Sequence, residues 1–343
     1  MFSEISMKTQ TAQNVTLTDV IAAQARIGGA IVRTPCERSL GLSELTGSEV
    51  WCKREYLQRT GSFKERGARS ALSLLPRHEA RRGVVAASAG NHALGLAWHG
   101  RQLGFPVTVV VPRNAPQVKV TRCRQLGAHV VLHGDSFDET RAFAFSLSEE
   151  WGLAYVPPFD DVRVIAGQGT LALELLGQVP DFDAVLVPVG GGGLLAGVVT
   201  VLRALKPEVQ VIGVEPVNAA CFSQALHHGG PVRVPTTATL ADGLAVAEAG
   251  KVTYANAAPW VDDLVTVSED ELGEAIAVLA ETEGAVVEGA GAAPLAALLS
   301  GKLPSLGGKR VVLPLTGGNI DSQVHAGLVE RYQTPAGLAQ IYG

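Results

Sequence analysis

From residue 83 onward the sequence alternates short apolar, β-rich runs with amphipathic helical stretches, an order that few folds accommodate. Val84-Val85-Ala86-Ala87 reads as a strand, Ala93 to Leu103 as a helix and Val107 to Val111 as a second strand. A helix at 116–126, a strand at 129–132 and a helix at 137–151 continue the series. Strands joined through helices lie parallel, because each right-handed crossover brings the chain back to the sheet running in the same direction. Pro157-Pro158 and Asp160-Asp161 break the series. After a helix at 169–178, Ala184-Val185-Leu186-Val187-Pro188-Val189 lacks polar alternation and predicts a strand buried on both faces. A second lobe follows: a helix at 194–205, a strand at 210–214, an irregular stretch at 216–260, helices at 269–283 and 291–300, and a strand from Arg310 to Leu315. The predicted fold class is α/β, with two lobes that are each a mostly parallel twisted sheet flanked by helices.

Upstream, Thr16 and Asp19 form a capping pair for a helix through Val20, Ile21, Ala25 and Ile27, closed by Gly28-Gly29. Residues 49–53 are strand-like and lead through Tyr56-Leu57-Gln58 to Thr60-Gly61-Ser62-Phe63-Lys64-Glu65-Arg66-Gly67-Ala68. The predicted division is a flexible tail at 1–14, a large domain from 15–82 and 159–343, and a small domain at 83–158.

The 343 residues, 47% of them hydrophobic, suffice for a large core. A net charge of −5, with Lys and Arg scattered rather than striped among aromatics, argues against nucleic acid as a partner. Cys36, Cys52, Cys123 and Cys221 form no CxxC pair, which gives neither a zinc signature nor a disulfide framework. His99, His129, His133 and His227-His228 lack metal-ligand spacing and read as surface or satisfied core residues. The first sixteen residues carry no apolar segment, and no later apolar run is free of Gly, Pro or charge over a bilayer's thickness, so a soluble cytoplasmic protein is expected. The partner class left is a small metabolite.

Three loops and one lysine carry the chemistry. Gly190-Gly191-Gly192-Gly193 follows the buried strand and opens the next helix. Glycines there let consecutive N–H groups converge on one anion, and the helix N-terminus adds partial positive charge, so a phosphate is the expected guest. Gly191, Gly193 and Ala196 also fit a dinucleotide fingerprint with Glu215 ending the next strand, whereas a Walker A reading fails for want of a following Lys-Ser or Lys-Thr. Ser88-Ala89-Gly90-Asn91-His92 is a small polar turn between strand and helix, suited to a carboxylate. Thr316, in Leu315-Thr316-Gly317-Gly318-Asn319, ends another buried strand, where ligands of open α/β sheets collect. Lys64 stands at the start of a helical run beside Phe63; desolvation there would keep more of its amine neutral and able to form a Schiff base.

Taken together these segments resemble the threonine dehydratase and serine racemase branch of the pyridoxal-phosphate enzymes of fold type II, the tryptophan synthase β-like fold. The resemblance rests on Gly61–Ala68, Ser88–His92, Ile165-Ala166-Gly167-Gln168-Gly169-Thr170, Val187–Gly193, Ala241-Asp242-Gly243 and Thr316–Asn319, in family order. It implies pyridoxal 5'-phosphate as cofactor, with Lys64 as the Schiff-base lysine and proton carrier, and Phe63 packed beside the ring. It further implies Asn91 on the ring hydroxyl, Gly190, Gly191, Gly192, Gly193 and Leu194 around the phosphate, Gly243 in the cofactor site and Thr316 at the pyridine nitrogen. Ser88, Ala89, Gly90, Asn91 and His92 would hold the substrate carboxylate. The large domain would bind cofactor and the small one would close over it.

The implied reaction is β-elimination from L-threonine, and secondarily L-serine, to 2-oxobutanoate or pyruvate plus ammonia. A 3-hydroxyaspartate dehydratase and a serine racemase are the near alternatives, and a nicotinamide-dependent oxidoreductase is the distant one. Racemases place a serine where this chain has Ala89, which cannot move a proton. Their cation site uses an acidic residue where this chain has Cys221, a poor ligand for a hard divalent ion. That leaves Glu215 and the Ala219 carbonyl as candidate ligands of a monovalent cation or a weakly held Mg²⁺. Glu288 matches a family position near the ring, or else caps a helix; Arg141 matches a racemase arginine, or else pairs with Asp138 on the surface. Family likeness implies a homodimer, and the early end after the last motif argues against isoleucine feedback of the biosynthetic type.

Overall fold

The computed structural model describes residues 14–113, 115 and 117–332. The tail expected at 1–14 lies outside them apart from Asn14. The large sheet contains β1 (Cys36–Ser39), β2 (Glu49–Lys53), β7 (Ala184–Pro188), β8 (Gln210–Pro216), β9 (Asp263–Val267) and β10 (Arg310–Pro314). Their spatial order is β1-β2-β10-β7-β8-β9, parallel except for the β1–β2 pair. The small sheet, β3 (Val84–Ala87), β4 (Val107–Val111), β5 (His129–Leu132) and β6 (Ala154–Tyr155), runs β5-β4-β3-β6 and is parallel throughout. The alternation read from residue 83 thus forms one sheet of its own.

Strand placement follows residue type. β3, β4 and β7 are buried at every position, as apolar runs without alternation require, whereas the edge strands β5 and β9 are largely part-exposed. The first described helix, Leu17–Ile27, opens on the expected Thr16–Asp19 capping box.

Two expectations need correction. The helix expected at 169–178 begins at Val162, where the Asp161 side chain accepts the Arg163 N–H at 2.7 Å, and runs to Gln178. Gly167 and Gly169 therefore lie inside a helix, and their role is close packing. A Cβ at Gly167 would stand 2.6 Å from the Arg66 carbonyl oxygen, and one at Gly169 would stand 2.9 Å from that of Gly197. Bare backbone lets the helices Lys64–Ser73 and Gly193–Leu205 approach from two sides. The stretch at 216–260, expected to be irregular, contains the helices Cys221–His228 and Lys251–Ala257. Remote carboxylates satisfy their leading amides: Glu215 takes Phe222 N and Ser223 N, and Asp160 takes Lys251 N, Val252 N and Thr253 N.

Beneath the lysine helix lies a buried ionic network. Arg66 spends all five N–H donors on Glu55, Glu174 and Thr170, at 2.7–3.1 Å. Lys53 adds a second cation, bonded to Glu174 at 2.5 Å and to the Thr34 carbonyl at 2.7 Å. Two positive and two negative charges balance, and the helix carrying Lys64 is thereby anchored to both β2 and the Val162–Gln178 helix.

Candidate active site

Lys64 is the first residue of its helix, preceded by Gly61 at φ 80°, which turns the chain after Thr60. Phe63 N donates to the Thr316 carbonyl at 2.9 Å, and Ser62 bridges Gly317, so the lysine loop is stitched to the end of β10. The Lys64 amine donates to the Pro158 carbonyl at 2.8 Å and lies 5.3 Å from the centroid of the half-buried Phe63 ring. Burial pulls its pKa down to about 8, against the opposing pull of Glu288. The amine is thus far closer to neutrality at physiological pH than an ordinary lysine.

Beside it, Gly190 to Gly193 join β7 to the Gly193–Leu205 helix, with Gly192 at φ 91°. Their carbonyls turn into the protein: Gly191 O accepts from Gly250 N and Thr253 Oγ1, and Gly190 O from the Cys221 thiol. Among the described residues no acceptor is met by the amides of Gly190 to Leu195, and the first intrahelical bond of this turn runs from Ala196 N to Gly192 O. The Phe159 ring lies against the loop, where a Cβ on Gly191 would come within 2.4 Å of it. Leu194 is buried in the core, so its contribution is its amide.

The Ser88–His92 turn presents the start of the Asn91–Leu103 helix in the same way. Gly90 N bonds the Ser88 hydroxyl at 3.3 Å, and Leu94 N reaches back to Gly90 O, which leaves the amides of Ala89, Asn91, His92 and Ala93 without acceptors among the described residues. The His92 ring turns inward to the Val156 carbonyl at 2.9 Å, and burial, with Lys64 adding to it, pushes its pKa down to about 3. His92 offers a ligand only its backbone. Asn91 donates through Nδ2 to Glu288 Oε1 at 2.5 Å and accepts through Oδ1 from Asn319 Nδ2 at 2.6 Å. Gly243, on the turn Asp242–Leu244, faces Glu288 from the other side, its Cβ position 4.0 Å from Oε1. The Thr316 hydroxyl, buried at the end of β10, makes no hydrogen bond to the described residues.

Glu288 occupies the N-cap position of the helix Gly289–Leu299, and its carbonyl accepts the Ala292 N–H at 3.0 Å, but its side chain caps nothing. The carboxylate instead bridges Asn91 and the Asn319 amide. Burial first, and Asp242 second, raise its pKa to about 7. Pro158, Phe159, Asn319 and Arg122 are site neighbours that the motifs did not point to as such; Asn319 stood inside a quoted motif with no role attached. Arg141 is exposed and lies 3.8 Å from Asp138, a surface pair away from this cluster.

The remaining sequence candidates sit behind the glycine loop. Both Glu215 oxygens accept bonds from the Cys221–His228 helix, including Ser223 Oγ at 2.5 Å, and Ala219 is buried in the turn before it. Glu215 is fully buried, so a ribose of the dinucleotide reading has no path to it. Among the described residues no group of three or more His, Cys, Asp or Glu is placed to hold a metal.

The arrangement fits pyridoxal phosphate. A run of unpaired amides at a helix N-terminus matches the phosphate, an amine with a depressed pKa matches the aldehyde, and an aromatic ring and a lone hydroxyl flank the space between them. Comparison with known proteins agrees. The model of the pyridoxal-phosphate dependent enzyme family matches residues 27–317. The chain is 46% identical over 307 residues to an L-threonine ammonia-lyase of Thermotoga maritima, covering 90% of this chain and 76% of that one. The processed threonine deaminase isoform 2 of Solanum lycopersicum superposes with a TM-score of 0.87 at 39% identity, over 92% and 86% of the two chains. Serine racemase from Dictyostelium discoideum does so at 0.84 and 36%, over 90% and 99%. The chain belongs to the pyridoxal-phosphate dependent enzymes, with the two-lobed fold of type II. Within that family its relatives include threonine ammonia-lyases and serine racemases.

Proposed function

We propose that this enzyme is a threonine ammonia-lyase, removing water from L-threonine, and secondarily L-serine, to leave 2-oxobutanoate or pyruvate and ammonia. The observation that carries the reading is the Lys64 amine, depressed to about 8 and set beside the open amides of Gly190 to Leu195. Bound pyridoxal phosphate supplies the sink for the electron pair released at the substrate's Cα.

The chain's own residues do the rest. Lys64 Nζ is the group that would hold the cofactor's aldehyde carbon, and the same amine is the base for the substrate's α-proton, with a pKa near the working pH as general-base catalysis favours. The Gly190–Gly193 amides would hold the phosphate, with Gly243 at one side of the cofactor and Phe63 beside its ring. Thr316 would offer the pyridine nitrogen a hydroxyl, which does not force protonation as a carboxylate would. The open amides of Ala89, Asn91 and His92, with the Ser88 hydroxyl beside them, take the substrate carboxylate, and the Asn91 carboxamide would hold the cofactor through the ring hydroxyl. The 3-hydroxyl departs as water, and later addition of one water releases ammonia and the 2-oxo acid. Ala89 offers no acid or base on the opposite ring face, so elimination prevails over racemisation.

The segment 83–158 is proposed to move as a small domain that shuts water out over the 15–82 and 159–343 domain. Glu215 and Ala219 are proposed to hold no more than a monovalent cation or weak Mg²⁺. No helix among the described residues is long and apolar enough to cross a membrane. A cytoplasmic homodimer is the proposed setting.

The test is the absorbance spectrum of the purified protein before and after L-threonine, with 2-oxobutanoate assayed in the same tube and L-serine and 3-hydroxyaspartate run in parallel. A yellow protein whose spectrum changes as 2-oxobutanoate accumulates is expected. Faster turnover of 3-hydroxyaspartate, or D-serine formed as fast as pyruvate, would replace the reading with one of its neighbours. A protein that stays colourless and inert after added pyridoxal phosphate would sink it.

A further inference from the structure

The hydrogen bonds around Asn319 form a closed circuit that the reaction chemistry does not itself require. Asn319 Nδ2 uses both hydrogens, one on the Thr60 carbonyl at 2.9 Å and one on Asn91 Oδ1 at 2.6 Å. Its Oδ1 accepts from Arg122 Nη1, and its backbone N–H donates to Glu288 Oε2 at 3.2 Å. Glu288 Oε1 then takes Asn91 Nδ2 at 2.5 Å, which closes the ring of contacts. Every polar atom of the Asn319 side chain is spoken for, and Asn91 is held in one amide orientation. Turned over, it would set Oδ1 against a carboxylate and Nδ2 against another N–H₂.

Two of the partners belong to the small-sheet segment: Asn91 opens its first helix, and Arg122 lies on the helix Gln117–Gln125. Thr60, Glu288 and Asn319 belong to the large-sheet part. The circuit therefore exists only while the two parts are together, and Lys119, one turn from Arg122, adds an ion pair to Asp242 on the far side. Glycines have been placed to admit it: a Cβ on Gly61 would stand 2.6 Å from Asn319 Oδ1, and one on Gly317 would stand 2.2 Å from Glu288 Oε1. Those two glycines look like cofactor-loop residues in the sequence, yet what they clear is room for this circuit.

We infer that Asn319 is a positioning residue which, through Arg122, couples the meeting of the two lobes to the orientation of the Asn91 carboxamide. The inference rests on the proposed reading, in which Asn91 bonds the cofactor ring. Arg122 pulls on Asn319 Oδ1, Asn319 fixes Asn91 Oδ1, and Asn91 is left with its second Nδ2 hydrogen aimed consistently. With the lobes apart, Asn91 loses both partners and its amide is free to turn.

The experiment uses the holoenzyme and the variants N319A, R122A, R122K and N319A/R122A. Wild-type 2-oxobutanoate release and yellow colour are measured first, since their absence defeats the functional reading and not this inference in particular. With wild type active, N319A is expected to shift the visible absorbance band of the bound cofactor and to lower kcat on the order of 10- to 100-fold, as a misplaced orienting group does, with KM changed much less. R122A is expected to move band and kcat in the same direction by a smaller factor, with R122K restoring part of it. The double variant is expected to match N319A alone, because the two act in series. Losses that multiply in the double variant, or an unchanged band with kcat within twofold of wild type in N319A, would overturn the coupling. If N319A does not fold, R122A decides the matter: an unshifted band and unaltered kcat there refute it.

Discussion

Replacing Arg66 with methionine tests how the lysine helix is held. Arg66 is 1% exposed and donates five hydrogen bonds, two to each of Glu55 and Glu174 and one to Thr170. Glu55 is 0% exposed. Burial alone would favour its neutral acid, yet Arg66 and Lys53 hold its pKa below the usual carboxylate range. Arg66→Met fills the volume but leaves Lys53 alone against two carboxylates, with a net charge of −1 where Lys53 and Glu55 are fully buried and Glu174 is 11% exposed. Removing one partner of a buried pair costs about 3–5 kcal/mol. At about 2–4 °C per kcal/mol for a domain of 150–250 residues, the melting temperature should fall on the order of 10 °C. Differential scanning calorimetry of the cofactor-free protein reads this directly. The double variant R66M/E174Q, which restores charge balance, should recover part of the loss. A drop of less than about 1 kcal/mol in R66M would show that the network is hydrated and that anchorage of Lys64 lies elsewhere.

Other expectations can be checked with the same preparations. For the cofactor-free protein, stability should climb between pH 8 and about 10.4, because Lys64 keeps its proton longer when unfolded than when folded; K64M should lack this rise, an outcome urea titrations at several pH values would show. K64M should also release no 2-oxobutanoate and resist borohydride labelling at that position. Gly191→Ala forces the Phe159 ring to move from a Cβ placed 2.4 Å away, and should weaken pyridoxal phosphate binding by about tenfold or more, about 1.4 kcal/mol, in a fluorescence titration. Because Glu215 already serves the Cys221–His228 helix, EDTA and Mg²⁺ should leave kcat within twofold, and a strict Mg²⁺ requirement would contradict the placement of that carboxylate.

What the sequence made legible was whatever depends on neighbours along the chain. The apolar runs of β3, β4 and β7 and the turn at Gly190–Gly193 are local patterns, and they fold as read. The helices inside 216–260 were hidden because their leading amides are met by Glu215 and Asp160, and the latter lies 91 residues before Lys251. Gly167 lies ahead of the expected helix 169–178 and Gly169 at its first position, because nothing local shows that two other helices cross there. Asn91 stands in a motif legible in the sequence, but its partners Glu288 and Asn319 are 197 and 228 residues away, and a single sequence carries no sign of such pairs. The direction of the His92 ring is likewise invisible in the sequence, since its partner is the Val156 carbonyl, 64 residues away.

The insertion of β10 between β2 and β7 has a consequence for how the chain comes off the ribosome. β2 and β7 make no ladder with each other and meet only through a strand that ends at Pro314, roughly 126 residues after β7 ends. At about 5–20 residues per second, translation leaves β7 waiting on the order of 10 s for that neighbour. The small sheet, whose strands all lie between Val84 and Tyr155, is translated in full before β7 begins. Nascent chains should therefore pass through a stage with one finished lobe and one half-paired sheet, the stage at which chaperone capture or misassembly has its opening.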